Sequence, residues 1–142
     1  VLDDCIDYFM KWRKVIMVTC EMYEEEFLKL KKMAVRLKNN RLGIKREERV
    51  GTGKFAKAYA KLRAEVVAET VKYACMGIRQ GLTLNNKCVC AADELIAANI
   101  QDIWLCVCRC EFDELNWKLE QLQQQFLVEI VFSEWEMEEK GA

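Results

Sequence analysis

The 142-residue chain contains neither proline nor histidine, is 52% hydrophobic and 32% charged, and has a formal net charge of −1. A chain of this length suits one domain that buries its core without disulfide or metal staples, and its longest uncharged run, the eight residues 121–128, falls far short of the roughly 20 that cross a bilayer. Without histidine there is no Glu-x-x-His di-iron signature, no histidine-ligated haem and no base for a serine-hydrolase triad. No catalytic residue, metal ligand or cofactor is therefore assigned, and the chain is expected not to be an enzyme.

An average chain of this length would carry about seven prolines, at ~5% of residues. Because proline removes a backbone donor and clashes with the preceding helical turn, its absence points to an all-α fold. The N-terminal Val1-Leu2-Asp3-Asp4 is acidic where a secretory signal would be basic, so no targeting segment is read and the localisation is cytoplasmic or unassigned. Net charge conceals an uneven distribution. Residues 29–63 hold 13 Lys or Arg against Glu47 and Glu48, whereas residues 111–142 hold nine acids against Lys118 and Lys140. Opposite blocks of this kind pair inside a bundle or face different partners.

The first helix is expected near 2–39. Leu2, Phe9, Ile16, Tyr23, Leu30 and Leu37 recur every seven residues, with Cys5 or Ile6, Trp12, Cys20, Phe27 and Ala34 filling the second seam of a heptad stripe. Unbroken, it would be about 57 Å long at 1.5 Å per residue. A break is therefore entertained, with Thr19 as a new N-cap ahead of Glu21, Glu24, Glu25 and Glu26. Asn39-Asn40-Arg41-Leu42-Gly43 reads as the C-terminal stop, and residues 44–53 as a loop holding at most one turn of helix.

A second helix is expected over 54–81. Phe55, Tyr59, Leu62, Val66 and Tyr73 form one strip, and Ala60, Ala64, Val67, Val71, Ala74 and Ile78 an adjacent one, wide enough together to meet several neighbours. Gly81 and Thr83-Leu84-Asn85-Asn86 mark a connection, which leaves Cys88 and Cys90 as exposed loop thiols. A third helix is expected over 91–110 through Ile96, Ile100, Ile103, Val107 and Cys110. The series Phe112, Leu115, Leu119, Leu122, Phe126 and Ile130 is offset by about half a turn, so a fourth helix is expected over 113–138. One long C-terminal helix in a three-helix bundle is the alternative, because neither Gly nor Pro stands at the break.

Chemistry-bearing patterns are few. Cys88-Val89-Cys90 and Cys106-Val107-Cys108-Arg109-Cys110 invite a thiolate metal site, but residues two apart on a helix point about 200° away from each other, and the cysteines read as small apolar filling. Gly51-Thr52-Gly53-Lys54 fails as a phosphate loop because Glu48 and Phe55 occupy positions requiring Gly and Ser or Thr. The paired carboxylates, Glu24-Glu25-Glu26 among them, are read as lacking the apolar setting that raises a pKa. The ligand-like feature is the basic stretch 29–63. Its candidate anion-binding residues are Lys29, Lys31, Lys32, Arg36, Lys38, Arg41, Lys45, Arg46 and Arg49.

The expectation is thus one domain, 1–142, folded as an antiparallel bundle of four helices. Its expected role is that of a non-catalytic structural or interaction protein, including the case of a laboratory-designed bundle, with self-association or a helical protein as partner. The alternatives are binding of nucleic acid, which is not favoured, or of another anionic surface through 29–63, and carriage of an apolar ligand between helices lined by Trp12, Trp104 and Trp117.

Overall fold

A computed structural model describes residues 17–47, 54–82 and 84–133, and within them the chain forms four packed helices: α1 (Cys20–Glu47), α2 (Lys54–Arg79), α3 (Asn86–Cys108) and α4 (Phe112–Phe126). The π-helical segment Leu127–Val131 extends α4. Cross-helix contacts fix the directions. Tyr23 meets Tyr73 and Lys29 meets Glu69, so α1 and α2 are antiparallel. Arg79 meets Asp93 and Arg63 meets Trp104, which reverses α3 on α2; Lys118 meets Asp102, which reverses α4 on α3. The expected antiparallel four-helix bundle is what forms, with α2 packed against all three other helices.

The centrality of α2 follows from its sequence. Val66, Val67, Val71, Tyr73, Ala74 and Ile78 are each no more than 1% exposed, and burying an aliphatic side chain of this size contributes ~1.5–3 kcal/mol. Its first half differs, because Ala60 and Ala64, placed on the expected inner strip, face solvent. Against α2 pack Leu30, Ala34 and Leu37 of α1, Ile96, Ile100, Ile103 and Val107 of α3, and Leu115, Leu119, Leu122 and Phe126 of α4.

Helix boundaries correct the expected ones in three places. The first helix does not run through residues 17–19: Val18 makes an isolated parallel bridge with Gln80, Gly81 donates its N–H to the Val18 carbonyl at 3.1 Å, and α1 starts at Cys20. Thr19 caps it through Oγ1, which accepts from Met22 N at 3.2 Å. The expected helical segment 2–16, with Cys5 and Trp12, lies outside the described residues, as does Arg49. At its other end α1 passes through Asn39-Asn40 and Gly43 to Glu47, since Leu37 is buried and the packing against α2 outweighs weak local stop signals.

The third helix starts at Asn86, five residues earlier than expected. Asn85 Oδ1 accepts from Cys88 N at 2.8 Å, forming an N-cap that puts Cys88 and Cys90 inside α3 rather than in an exposed loop, with Cys88 buried. The break before α4 is real. Cys110 takes the left-handed conformation at φ 55°, its N–H donates to Val107 O at 3.0 Å, and Glu111 N donates to Cys106 O at 2.9 Å. These two bonds are a Schellman closure with cysteine at the position that glycine usually fills. Beyond Phe126 the π segment adds one residue to the turn, so the buried position after Phe126 falls at Val131 while Ile130 is half-buried.

Candidate functional site: the two faces of the first helix

Eight of the nine candidate anion-binding residues belong to α1, Arg49 lying outside the described residues, and the helix spreads Lys29 to Arg41 around its axis. Lys29 turns toward α2, its Nζ 3.1 Å from Glu69 Oε1. Lys31 lies over two rings, 5.1 Å from the Phe27 centroid and 5.7 Å from that of Phe112. Lys32, Arg36 and Lys38 are exposed, and none of these three ion-pairs with an acid among the described residues. Arg41 is half-buried in a crevice with Leu37, Lys38, Tyr59 and Cys108, close to the carbonyl end of α3, where positive charge offsets the helix dipole. Lys45 and Arg46 lie in the last turn of α1.

Between these basic residues runs a line the sequence reading did not single out. Leu28, Val35 and Leu42 are 60%, 45% and 48% exposed. Spaced seven apart, they drift only ~20° per step and so form one stripe on the outer face. Residues three and four positions beyond an apolar one lie on its two flanks, which sets Lys31 and Lys32 beside Leu28, and Lys38 beside Val35. The acids Glu21, Glu24 and Glu25 occupy the N-terminal turns of the same helix and are exposed. The outer face therefore passes from acidic at its start to basic with apolar contacts along its remaining length.

The inner face carries charge of another kind. Glu26 and Glu69 are both buried, at 6% and 8% exposure, where α1 crosses α2. Lys72 Nζ reaches Glu26 Oε2 at 3.1 Å, and Lys29 meets Glu69 Oε1 at the same distance. The other two oxygens, Glu26 Oε1 and Glu69 Oε2, have no hydrogen-bond partner among the described residues; a single proton held between the two carboxyls would satisfy both. Burial pushes Glu26 up to about 7, the hydrogen bond with Glu69 adds to the rise, and Lys72 opposes it. Burial also works against ionisation of Glu69, but its bonds to Glu26 and Lys29 and the charges of Lys29 and Lys72 outweigh that and hold it below the ordinary carboxylate value. The paired-carboxylate reading is thereby corrected, since Glu26 does sit where burial raises its pKa.

Cysteine and tryptophan side chains complete the inventory. Cys75 and Cys88 are buried and Cys20 is exposed, while Cys90, Cys106, Cys108 and Cys110 are half-buried, and none of the seven is in a disulfide. Burial raises the thiol pKa of Cys106, helped by Glu111 and Glu114; burial also raises Cys108, against the opposing charges of Arg41 and Arg63. Both are therefore poor nucleophiles at neutral pH. No group of three or more Cys, Asp or Glu residues among those described is arranged to hold a metal ion. Trp104 is buried, with the Arg63 guanidinium 5.4 Å from its ring centroid, whereas Trp117 stands 59% exposed, so the two do not converge on one apolar pocket. No helix among the described residues is long and apolar enough to cross a membrane. No family model, curated protein or solved structure matches this chain.

Proposed function

We propose that this protein is a non-catalytic interaction module that docks, through the outer face of α1, on an anionic lipid surface. The observation that carries the reading is the exposed stripe Leu28–Val35–Leu42 flanked by Lys31, Lys32, Arg36 and Lys38. A coiled-coil partner would need apolar residues at two positions per heptad. Here the positions three and four beyond Leu28 and Val35 are Lys31, Lys32, Lys38 and Asn39, which disfavour such a seam. A second copy of the same face would bring lysine against lysine. Nucleic acid would use the cations but give the three apolar side chains nothing to bury against. A lipid surface uses both, because Leu and Val enter the acyl boundary while Lys and Arg stay at headgroup level and contribute about 1 kcal/mol each.

The test is flotation with vesicles of phosphatidylcholine alone or with about a third phosphatidylserine, the anionic lipid of a cytoplasmic leaflet. The expected result is binding to the anionic vesicles only, lost at high salt, and weakened at least tenfold when Leu28, Val35 and Leu42 are all replaced by Gln. Failure to float at low salt sinks the reading. Salt-sensitive binding to duplex DNA that survives the triple replacement would transfer the face to nucleic acid.

A further inference from the structure

Away from that face, an open groove of about 410 Å³ lies between α1 and α4 over the last turns of α2, a volume within the range of small-molecule sites. Gly77 forms its floor. A Cβ there would come within 3.3 Å of the Tyr23 hydroxyl and 3.4 Å of Leu119 Cδ1, so the missing side chain keeps the groove open, although glycine inside a helix costs roughly 0.5–1 kcal/mol relative to alanine.

The polar groups around this floor are oriented by bonds behind them. Tyr23 stacks on Tyr73 with centroids 4.6 Å apart, and Tyr73 donates its hydroxyl proton to Asn116 Oδ1. The single proton of Tyr73 is thus committed to Asn116, and the Tyr23 hydroxyl oxygen, which lines the groove, can accept from a group bound there. Gln123 Nε2 donates to the carbonyls of Ile78 and Gln80 at 3.3 and 3.5 Å, leaving Gln123 Oε1 as an acceptor. Gln80 Nε2 donates to Cys20 Sγ at 3.0 Å, leaving Gln80 Oε1 likewise. The amide donors that remain among the described lining residues are Asn116 Nδ2 and the second N–H of Gln80 Nε2, against acceptors on Tyr23, Gln80, Gln123 and both Glu120 oxygens.

Acceptors therefore outnumber donors, and the charges agree in sign. Glu120 is the only charged side chain among the described residues of the lining, and the carbonyl end of α2 adds the negative pole of its dipole. A lone carboxylate among neutral amides is a poor cage for a divalent cation, which requires six or more oxygens. An ammonium group offers three donors and no acceptor. We infer that the groove binds a small primary alkylammonium ion, its nitrogen among Glu120, Gln80 Oε1 and Gln123 Oε1 and its alkyl stem over Gly77 and Leu119.

The probe is n-butylammonium chloride, titrated at fixed ionic strength into the uniformly ¹⁵N-labelled full chain and followed through the side-chain amides of Asn116 and Gln123 and the backbone amide of Gly77. Saturable shifts confined to these signals are expected. They should be absent with n-butanol, which lacks the charge, and with tetramethylammonium, which lacks N–H donors. Glu120 is exposed, so Glu120→Gln leaves the fold intact and should weaken binding at least fivefold; Gly77→Ala should weaken it by narrowing the floor. Shifts that never saturate, equal shifts with tetramethylammonium, or unchanged affinity in Glu120→Gln would each overturn the assignment.

Discussion

Arg79, the last residue of α2, donates through Nη2 to Asp93 Oδ1 in the second turn of α3 at 2.9 Å, with side-chain exposures of only 4% and 6%. The pair fastens two antiparallel helices at the end where their connection turns. Desolvating both ions offsets much of their attraction, so the pair itself is weak evidence of stability, whereas removing one partner leaves a buried charge at a cost of about 3–5 kcal/mol. Asp93→Ala is therefore expected to lower the urea midpoint by that equivalent, with far-UV dichroism as the readout. A loss under 1 kcal/mol would show that the other contacts of the guanidinium, or water, compensate its charge.

The Glu26–Glu69 pair makes stability depend on pH in a defined direction. Glu26 holds its proton up to about 7 in the folded state against an ordinary value of 4.5, so its contribution is full below 4.5 and is lost as pH rises through 7. Glu69 has the opposite sense: its lowered pKa gives stability present above the ordinary value and lost in acid. Thermal melts should show a higher Tm at pH 5 than at pH 8. Glu26→Gln, which keeps a donor toward Glu69 without a titrating proton, should flatten that difference and stabilise the protein at pH 8 by about 1–3 kcal/mol. An unchanged pH slope in this variant would refute the shared proton.

Cys110 pays for its left-handed backbone, which costs a non-glycine residue roughly 1–2 kcal/mol. Its half-buried side chain, packed against the core, offsets part of that. Cys110→Gly is expected to raise stability by ~0.5–1 kcal/mol, measured by chemical denaturation, while Cys108→Gly, within the last turn of α3, should lower it.

Thiol reactivity should rank by burial and pKa. Cys20 is exposed and is expected to react first with an aromatic disulfide reagent; Cys106 and Cys108 should follow slowly, and Cys75 and Cys88 only on unfolding. Peptide mapping after timed quenching gives the order, and early labelling of Cys75 would contradict the buried core described for α2.

Much of this was legible in the residues themselves. Tyr23, Leu30 and Leu37 announce the inner face of α1, Thr19 its cap, and the half-turn offset after Cys110 the break that the backbone makes. The boundaries were harder, since Asn39, Asn40 and Gly43 are weak stops that tertiary packing overrides, whereas Asn85 is a strong cap in a stretch read as loop. The buried carboxylates left a signal that went unused. Glu26 lies three residues after Tyr23 and four before Leu30, and Glu69 stands in the same relation to Val66 and Tyr73, an inward position on both helices. The outer stripe escaped because attention to apolar periodicity follows the densest face, and Leu28, Val35 and Leu42 form a second, thinner one.

The clasp of Val18 on Gln80 and Gly81 has a mechanical meaning. It joins the entry of α1 to the exit of α2, so the two helices form a closed ring rather than an open hairpin. Tension applied between residues 17 and 82 reaches that clasp before it can unzip either helix, and the α1–α2 pair with its buried charges stays shielded from load until the clasp gives way.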